Sequence, residues 1–309
     1  MKYPRVFGSS VMAIGFVLVI TLLASCEDDR EETSVDGSME GNSQPDAPEA
    51  DYRQPLIPEP SMRCPFFVTG VQEIMLLTVQ MWVGEKNSKA EGALLFYWHG
   101  AGGFSNEAEL IPKTVREELL SEGGIIVSPQ DTTGRLPGTT IALRTWSDSD
   151  FEFADLIAAC AVREHNINPR RIYSTGCSAG GLQTGNMVFK RSSYLAAAVA
   201  NSGGLILPLN RDAIQDPSHV PPVMTLHGSS EADVVAISFP STSSNLDRSI
   251  VNPGGFAVNC NHQGEHCGMS DQDYIAAWQF MKDHPFGVDN EPYTNGLPQD
   301  FPKYCAIIR

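Results

Sequence analysis

The sequence predicts an α/β fold, with a mostly parallel central sheet and helices on both faces. Three observations carry this. Runs of strand length such as Ala93–Trp98, Ile125–Val127 and Leu195–Ala200 are apolar throughout, as strands covered on both faces are. Helical stretches with apolar residues three and four apart separate them. One strand, Arg171–Thr175, runs through the turn Gly176-Cys177-Ser178-Ala179-Gly180 into a helical segment, Gly181–Phe189.

The elements follow in order. Leu76–Val83 alternates apolar and polar residues and reads as an early, half-exposed strand. Ala93–Trp98 is a buried strand stopped by His99-Gly100, and a helix over 107–120 follows, with Leu110, Val115 and Leu119 on one face and Gly123-Gly124 at its end. After the strand Ile125–Val127, a helix spans about 150–165, capped by Ser149 or Asp150 and apolar at Phe153, Leu156, Ile157, Cys160 and Ala161. Strands at 195–200, 223–226 and 256–259 come next, with helices at 244–251 and 271–283. The Pro-, Gly- and Asn-rich tail from Gly287 to Arg309 is expected to wrap over the surface.

The N-terminus reads as an export leader. Lys2 and Arg5 precede the apolar run Val11–Ala24, which is short for a membrane span of about 20 residues and suits a signal-peptide core. Leu23-Ala24-Ser25-Cys26 resembles a bacterial lipobox, which implies residues 1–25 as signal peptide and a lipidated Cys26 anchored in a membrane. The alternatives are an ordinary secretory signal or an uncleaved anchor. Residues 26–60 read as an acidic tether: beyond Cys26 they hold eleven acidic residues against Arg30 and Arg53, and five prolines. Such a coil would average roughly 30 Å end to end. Residues 61–309 then form one domain of formal charge −9, taken from −16 overall, −9 in the tether and +2 in the leader. With no basic patch, nucleic acid is not an expected partner. A monomer is expected.

Six cysteines remain beside Cys26: Cys64, Cys160, Cys177, Cys260, Cys267 and Cys305. An even number in an exported chain points to disulfides. The preferred pairing is Cys260–Cys267, Cys160–Cys177 and Cys64–Cys305, the last tying the ends of the domain together. Zinc on the cluster Cys260, His262, His266 and Cys267 competes poorly, because an oxidising compartment and the lack of a second Cys-x-x-Cys pair oppose it.

The turn Gly176–Gly180 has the G-x-S-x-G pattern of a nucleophile elbow, where glycines two positions either side leave room for a sharp strand-to-helix turn. A serine needs a base, and the base an acid, in the loops after later strands. The loop at 227–235 offers Glu231 and Asp233, and the loop at 262–268 offers His262 and His266. For an oxyanion hole, one donor is the amide of Ala179, at a helix N-terminus. The other comes from His99-Gly100-Ala101-Gly102-Gly103, with Ala101 preferred and Gly100 or Gly102 close behind. His99 and His227 read as structural, and His165, His219 and His284 as surface or cap residues. Cys177 precedes the exposed centre of the elbow and reads as a disulfide or buried thiol, not a nucleophile. Phe104, Trp146 and Phe239 are candidate pocket residues.

These motifs resemble the α/β-hydrolase superfamily, and within it the polyhydroxybutyrate depolymerase, feruloyl esterase and acetylxylan esterase-like group. The likeness covers roughly residues 70–285. It rests on His99-Gly100, Gly176-Cys177-Ser178-Ala179-Gly180-Gly181, His227-Gly228 followed by an acid and Val234-Val235, and Gly264-Glu265-His266 before the Trp278-Gln279-Phe280 helix. By it, Ser178 is the nucleophile, Asp233 the acid and His266 the base. Asp233 is preferred to Glu231 because it directly precedes the two valines, and His266 to His262 because a Cys260–Cys267 bridge would constrain it. The function this implies is ester hydrolysis through an acyl-enzyme on Ser178, with polymer-linked, polysaccharide-linked or small esters as substrates and neither metal nor organic cofactor. A peptidase of the same fold and a non-catalytic surface-binding lipoprotein are the rival readings.

Overall fold

In a computed structural model, residues 53–309 are described apart from 90, 131–132, 136–141, 145, 208–212 and 289, with the backbone alone for 133–135 and 142–144. The expected signal segment, Cys26 and most of the expected tether lie outside the described residues. Nine strands form one sheet: β1 (Gly70–Ile74), β2 (Leu77–Val83), β3 (Leu94–Trp98), β4 (Ile125–Gln130), β5 (Ile172–Cys177), β6 (Ala197–Asn201), β7 (Val223–His227), β8 (Ala257–Asn261) and β9 (Cys305–Ile308). Their order is β1-β2-β4-β3-β5-β6-β7-β8-β9. The six strands from β4 to β8 run parallel, and the flanking pairs are antiparallel. The predicted fold class holds.

Side chains alternate between two cores, one on each face. Leu94, Phe96 and Trp98 pack with residues of α2 (Ser149–His165), α3 (Ala179–Lys190) and α4 (Phe239–Val251). Leu95 and Tyr97 pack on the other face with α1 (Lys113–Ser121) and α5 (Asp271–Asp283). This is why β3 is apolar at every position, although β4, β5 and β7 also bury Ser128, Ser174 and Thr225. A capping box of Ser270 and Asp273 starts α5, and Asn166 at φ 61° ends α2.

Several elements depart from expectation. The helix expected over 107–120 is broken at Pro112 into a short 3-10 turn (Ser105–Leu110) and α1, because proline supplies no amide to continue the ladder. Helix α4 begins at Phe239, five residues before the expected Ser244, with Pro240 in its first turn. The tail returns as β9, an edge strand on β8. Asp150 does not cap α2 from outside; from within the first turn it accepts hydrogen bonds from the Ser147 amide and hydroxyl. His165 and His284 are buried rather than on the surface, and His284 is the C-cap of α5, as one of the two expected roles had it, bonding the Phe280 carbonyl and Glu291. Residues 53–58 lie against the domain, where Leu56 donates to the Ser193 carbonyl (2.7 Å) and Arg53 pairs with Asp216.

All three expected disulfide pairings are corrected. The bonds are Cys64–Cys160, Cys177–Cys267 and Cys260–Cys305. Cys260 faces Cys305 because β9 pairs with β8 in that register. Cys64 meets α2, and Cys267 is left for the cysteine beside Ser178. Among the described residues, no helix is long and apolar enough to cross a membrane.

Asp247 on α4 is buried under β7 and β8. It accepts from Thr225 (2.9 Å) and Asn259 (2.8 Å), while burial pushes its pKa from an ordinary 3.8 to about 7. A raised carboxyl binds its proton more tightly folded than unfolded, so its contribution is full below pH 4 and is lost as pH rises through 7. At about 1.4 kcal/mol per pH unit, this is on the order of 4 kcal/mol. Asp247→Asn cannot ionise, so its Tm relative to wild type should rise from pH 4 to pH 8. A pH-independent difference in thermal melts would contradict this.

Candidate active site

The loops at the carboxyl ends of the parallel strands converge on Ser178. Ser178 occupies the N-cap of α3 at φ 58° and ψ −120°, a conformation costing about 1–3 kcal/mol for a non-glycine residue. Its neighbours make the turn possible. A Cβ on Gly180 would lie 1.8 Å from the Trp98 carbonyl oxygen, and one on Gly176 would lie 2.4 Å from the same atom. The amide of Ser178 donates to Asn201 (3.1 Å) and its carbonyl accepts from Leu182 (2.9 Å). The side chain is half-buried, and its hydroxyl makes no hydrogen bond among the described residues.

Asp233 and His266 meet. His266 Nδ1 lies 2.7 Å from Asp233 Oδ1. The other carboxylate oxygen accepts from the Gly228 amide (2.8 Å) and the Ser202 hydroxyl (2.9 Å). Burial raises the Asp233 pKa, but the bonds from His266, Gly228 and Ser202 outweigh it, so the net shift is downward and the group stays ionised at neutral pH. Glu231 is exposed on the same loop and makes no hydrogen bond to His266 among the described residues. His262 is turned inward: its Nδ1 accepts from the Gly264 amide (3.1 Å), and burial lowers its pKa. Phe239 packs on the His266 ring, with centroids 4.5 Å apart.

The Cys177–Cys267 disulfide joins the residue before Ser178 to the residue after His266, with Cα atoms 5.8 Å apart. His266 is thus constrained by a bridge, though not the expected one. The sulfurs of Cys177 and Cys267 and a ring nitrogen of His266 lie within 4.8 Å of one another. Bonded to each other, these sulfurs are not the thiolates a metal needs.

Two residues with no expected role hold the site together. Ser202, buried at φ 40°, donates to Asp233 and accepts from the Cys267 amide (2.9 Å), so one hydroxyl ties the acid loop to the histidine loop. Glu107 takes the Gly100 amide with both carboxylate oxygens (3.0 and 3.2 Å). Gly100 therefore cannot donate elsewhere, and Gly103 donates to the Gly100 carbonyl (2.9 Å). The amides of Ala101 and Ala179 carry no hydrogen bond among the described residues, and a Cβ on Gly100 would lie 3.5 Å from the Ser178 Cβ. Trp146 donates to the His99 carbonyl (3.0 Å) and packs against the His99 ring at a tilt of 49°. Phe104 is exposed beside the loop.

The fold has counterparts among solved structures. Native pOPH superposes with a TM-score of 0.59 at 15% identity, over 80% of this chain and 96% of its own. Native sOPH gives 0.59 at 16%, over 80% and 96%. A thermostable esterase gives 0.52 at 16%, over 71% and 63%. This chain has the α/β-hydrolase fold. Within an α/β-hydrolase sheet, a serine after β5, an acid after β7 and a histidine after β8 occur in the chain order serine, acid, histidine. No protein-family profile matches the chain, and no curated protein is similar to it in sequence.

Proposed function

We propose that the chain is a serine carboxylic-ester hydrolase. The observation that carries this reading is the Asp233–His266 pair (2.7 Å), tethered by the Cys177–Cys267 bridge to the residue before a strained, half-buried Ser178. Ser178 Oγ attacks the ester carbonyl while His266 Nε2 takes its proton. Asp233 holds Nδ1–H, fixing the tautomer and stabilising the imidazolium. The carbonyl oxygen becomes an oxyanion held by the amides of Ala101 and Ala179. His266 returns the proton to the departing alcohol, leaving an acyl-enzyme. Water, deprotonated by His266, then releases the acid and restores Ser178. The Ser178–His266 hydrogen bond forms with substrate in place, as such bonds often tighten only in the complex.

Polymer-linked, polysaccharide-linked and small esters are the substrate classes proposed, and the domain works as a monomer. Three disulfides need an oxidising compartment, which supports an exported protein. Together with the lipobox-like Leu23–Cys26, this leads us to propose a lipid-anchored or secreted enzyme. A graded series of p-nitrophenyl esters tests the activity: saturable hydrolysis of at least one supports it, and none above the uncatalysed rate contradicts it.

A further inference from the structure

The loop that would supply one oxyanion donor is not held by its own backbone alone. Its turn is closed by the Gly103-to-Gly100 hydrogen bond, with Gly102 at φ 78°. Yet the Gly100 amide points away from that turn, into the Glu107 carboxylate. Glu107 comes from the 3-10 turn Ser105–Leu110, seven residues on, and its Oε1 also accepts from the Tyr97 hydroxyl at the end of β3 (3.4 Å). The fit is close. A Cβ on Gly103 would lie 2.5 Å from Glu107 Oε2, so glycine there leaves the space the carboxylate fills. Burial raises the pKa of this carboxyl, as desolvation of an acid does.

We infer that Glu107 is a positioning residue for the oxyanion hole: by occupying the Gly100 amide, it orients the next peptide so that the Ala101 amide faces the carbonyl attacked by Ser178. This rests on the ester-hydrolase reading above. Reach, not charge, is the property the role requires. A glutamine keeps the reach and one acceptor oxygen, whereas an aspartate keeps the charge and withdraws by one methylene. Both substitutions are small enough to leave the fold in place.

The test measures kcat and KM for a small p-nitrophenyl ester, and the affinity for a trifluoromethyl ketone whose tetrahedral adduct places an oxyanion in the hole. Glu107→Asp should lower kcat by about 10- to 100-fold, as a misplacement near 1 Å does, with KM within about twofold. Its ketone affinity should fall by the same factor as kcat/KM, because both report the oxyanion. Glu107→Gln should stay within about threefold of wild type in all three measurements. An unchanged Glu107→Asp, or a Glu107→Gln damaged as much as Glu107→Asp, overturns the inference. A loss in kcat with full ketone affinity also overturns it. If the wild-type protein hydrolyses no ester, the parent reading fails; an active wild type with unchanged Glu107→Asp sinks the positioning role alone.

Discussion

Ser178→Ala is expected to lower kcat for a short p-nitrophenyl ester by about a millionfold, the loss seen when a triad serine is removed. KM should change little, since the hydroxyl has no role in holding the ground state. The variant should also melt with wild type. The Ser178 hydroxyl makes no hydrogen bond among the described residues, and alanine bears the same positive φ as serine, so nothing that stabilises the fold is lost. Melting temperature and turnover measured together separate a chemical loss from a folding one. Activity within tenfold of wild type would exclude Ser178 as nucleophile.

The second large effect falls on the acid loop. Asp233→Asn should cost about 10⁴-fold in kcat, and Glu231→Gln should stay within about twofold of wild type. The geometry gives the reason. Asp233 Oδ2 receives two donors, the Gly228 amide and the Ser202 hydroxyl, so the carbonyl oxygen of an asparagine would take that place. Its NH₂ would then face His266 Nδ1, forcing the ring proton onto Nε2, where nothing can accept the serine proton. Glu231 is exposed and makes no hydrogen bond to Ser178 or His266 among the described residues. Parallel kinetics on the two variants decide between the carboxylates: equal losses, or a larger one at Glu231, would contradict the assignment.

Much of the fold was legible because its determinants are local. Strands covered on both faces are mostly apolar, so β3 and the runs at Ile125–Val127 and Leu195–Ala200 announce themselves, while β5 buries Ser174 and is legible through the elbow that follows it. The elbow was legible for a similar reason, since only glycine at 176 and 180 avoids the Trp98 carbonyl. Strand β1 was missed because its hairpin turns at Met75 and Leu76, both at positive φ (51° and 66°), without the Asn or Gly that usually marks such a turn. Strand β9 is four residues in a polar tail and gains its place from β8 and a disulfide. The cysteine pairing depended on which loops meet across the sheet, with partners 45 to 96 residues apart, and nothing local encodes that. Ser202 and Glu107 escaped for the same reason. Their chemistry lies in contacts with the acid, histidine and glycine loops, while in sequence they are ordinary polar residues, Ser202 just past a strand and Glu107 within a short 3-10 turn.

The central claim is that Ser178 is an activated nucleophile. Its most direct test is reaction of the folded protein with a fluorophosphonate, followed by peptide mass spectrometry. One adduct on the peptide containing Ser178, lost in Ser178→Ala and slowed in Asp233→Asn, is the predicted result. No adduct, or an adduct elsewhere with Ser178 unmodified, would contradict it.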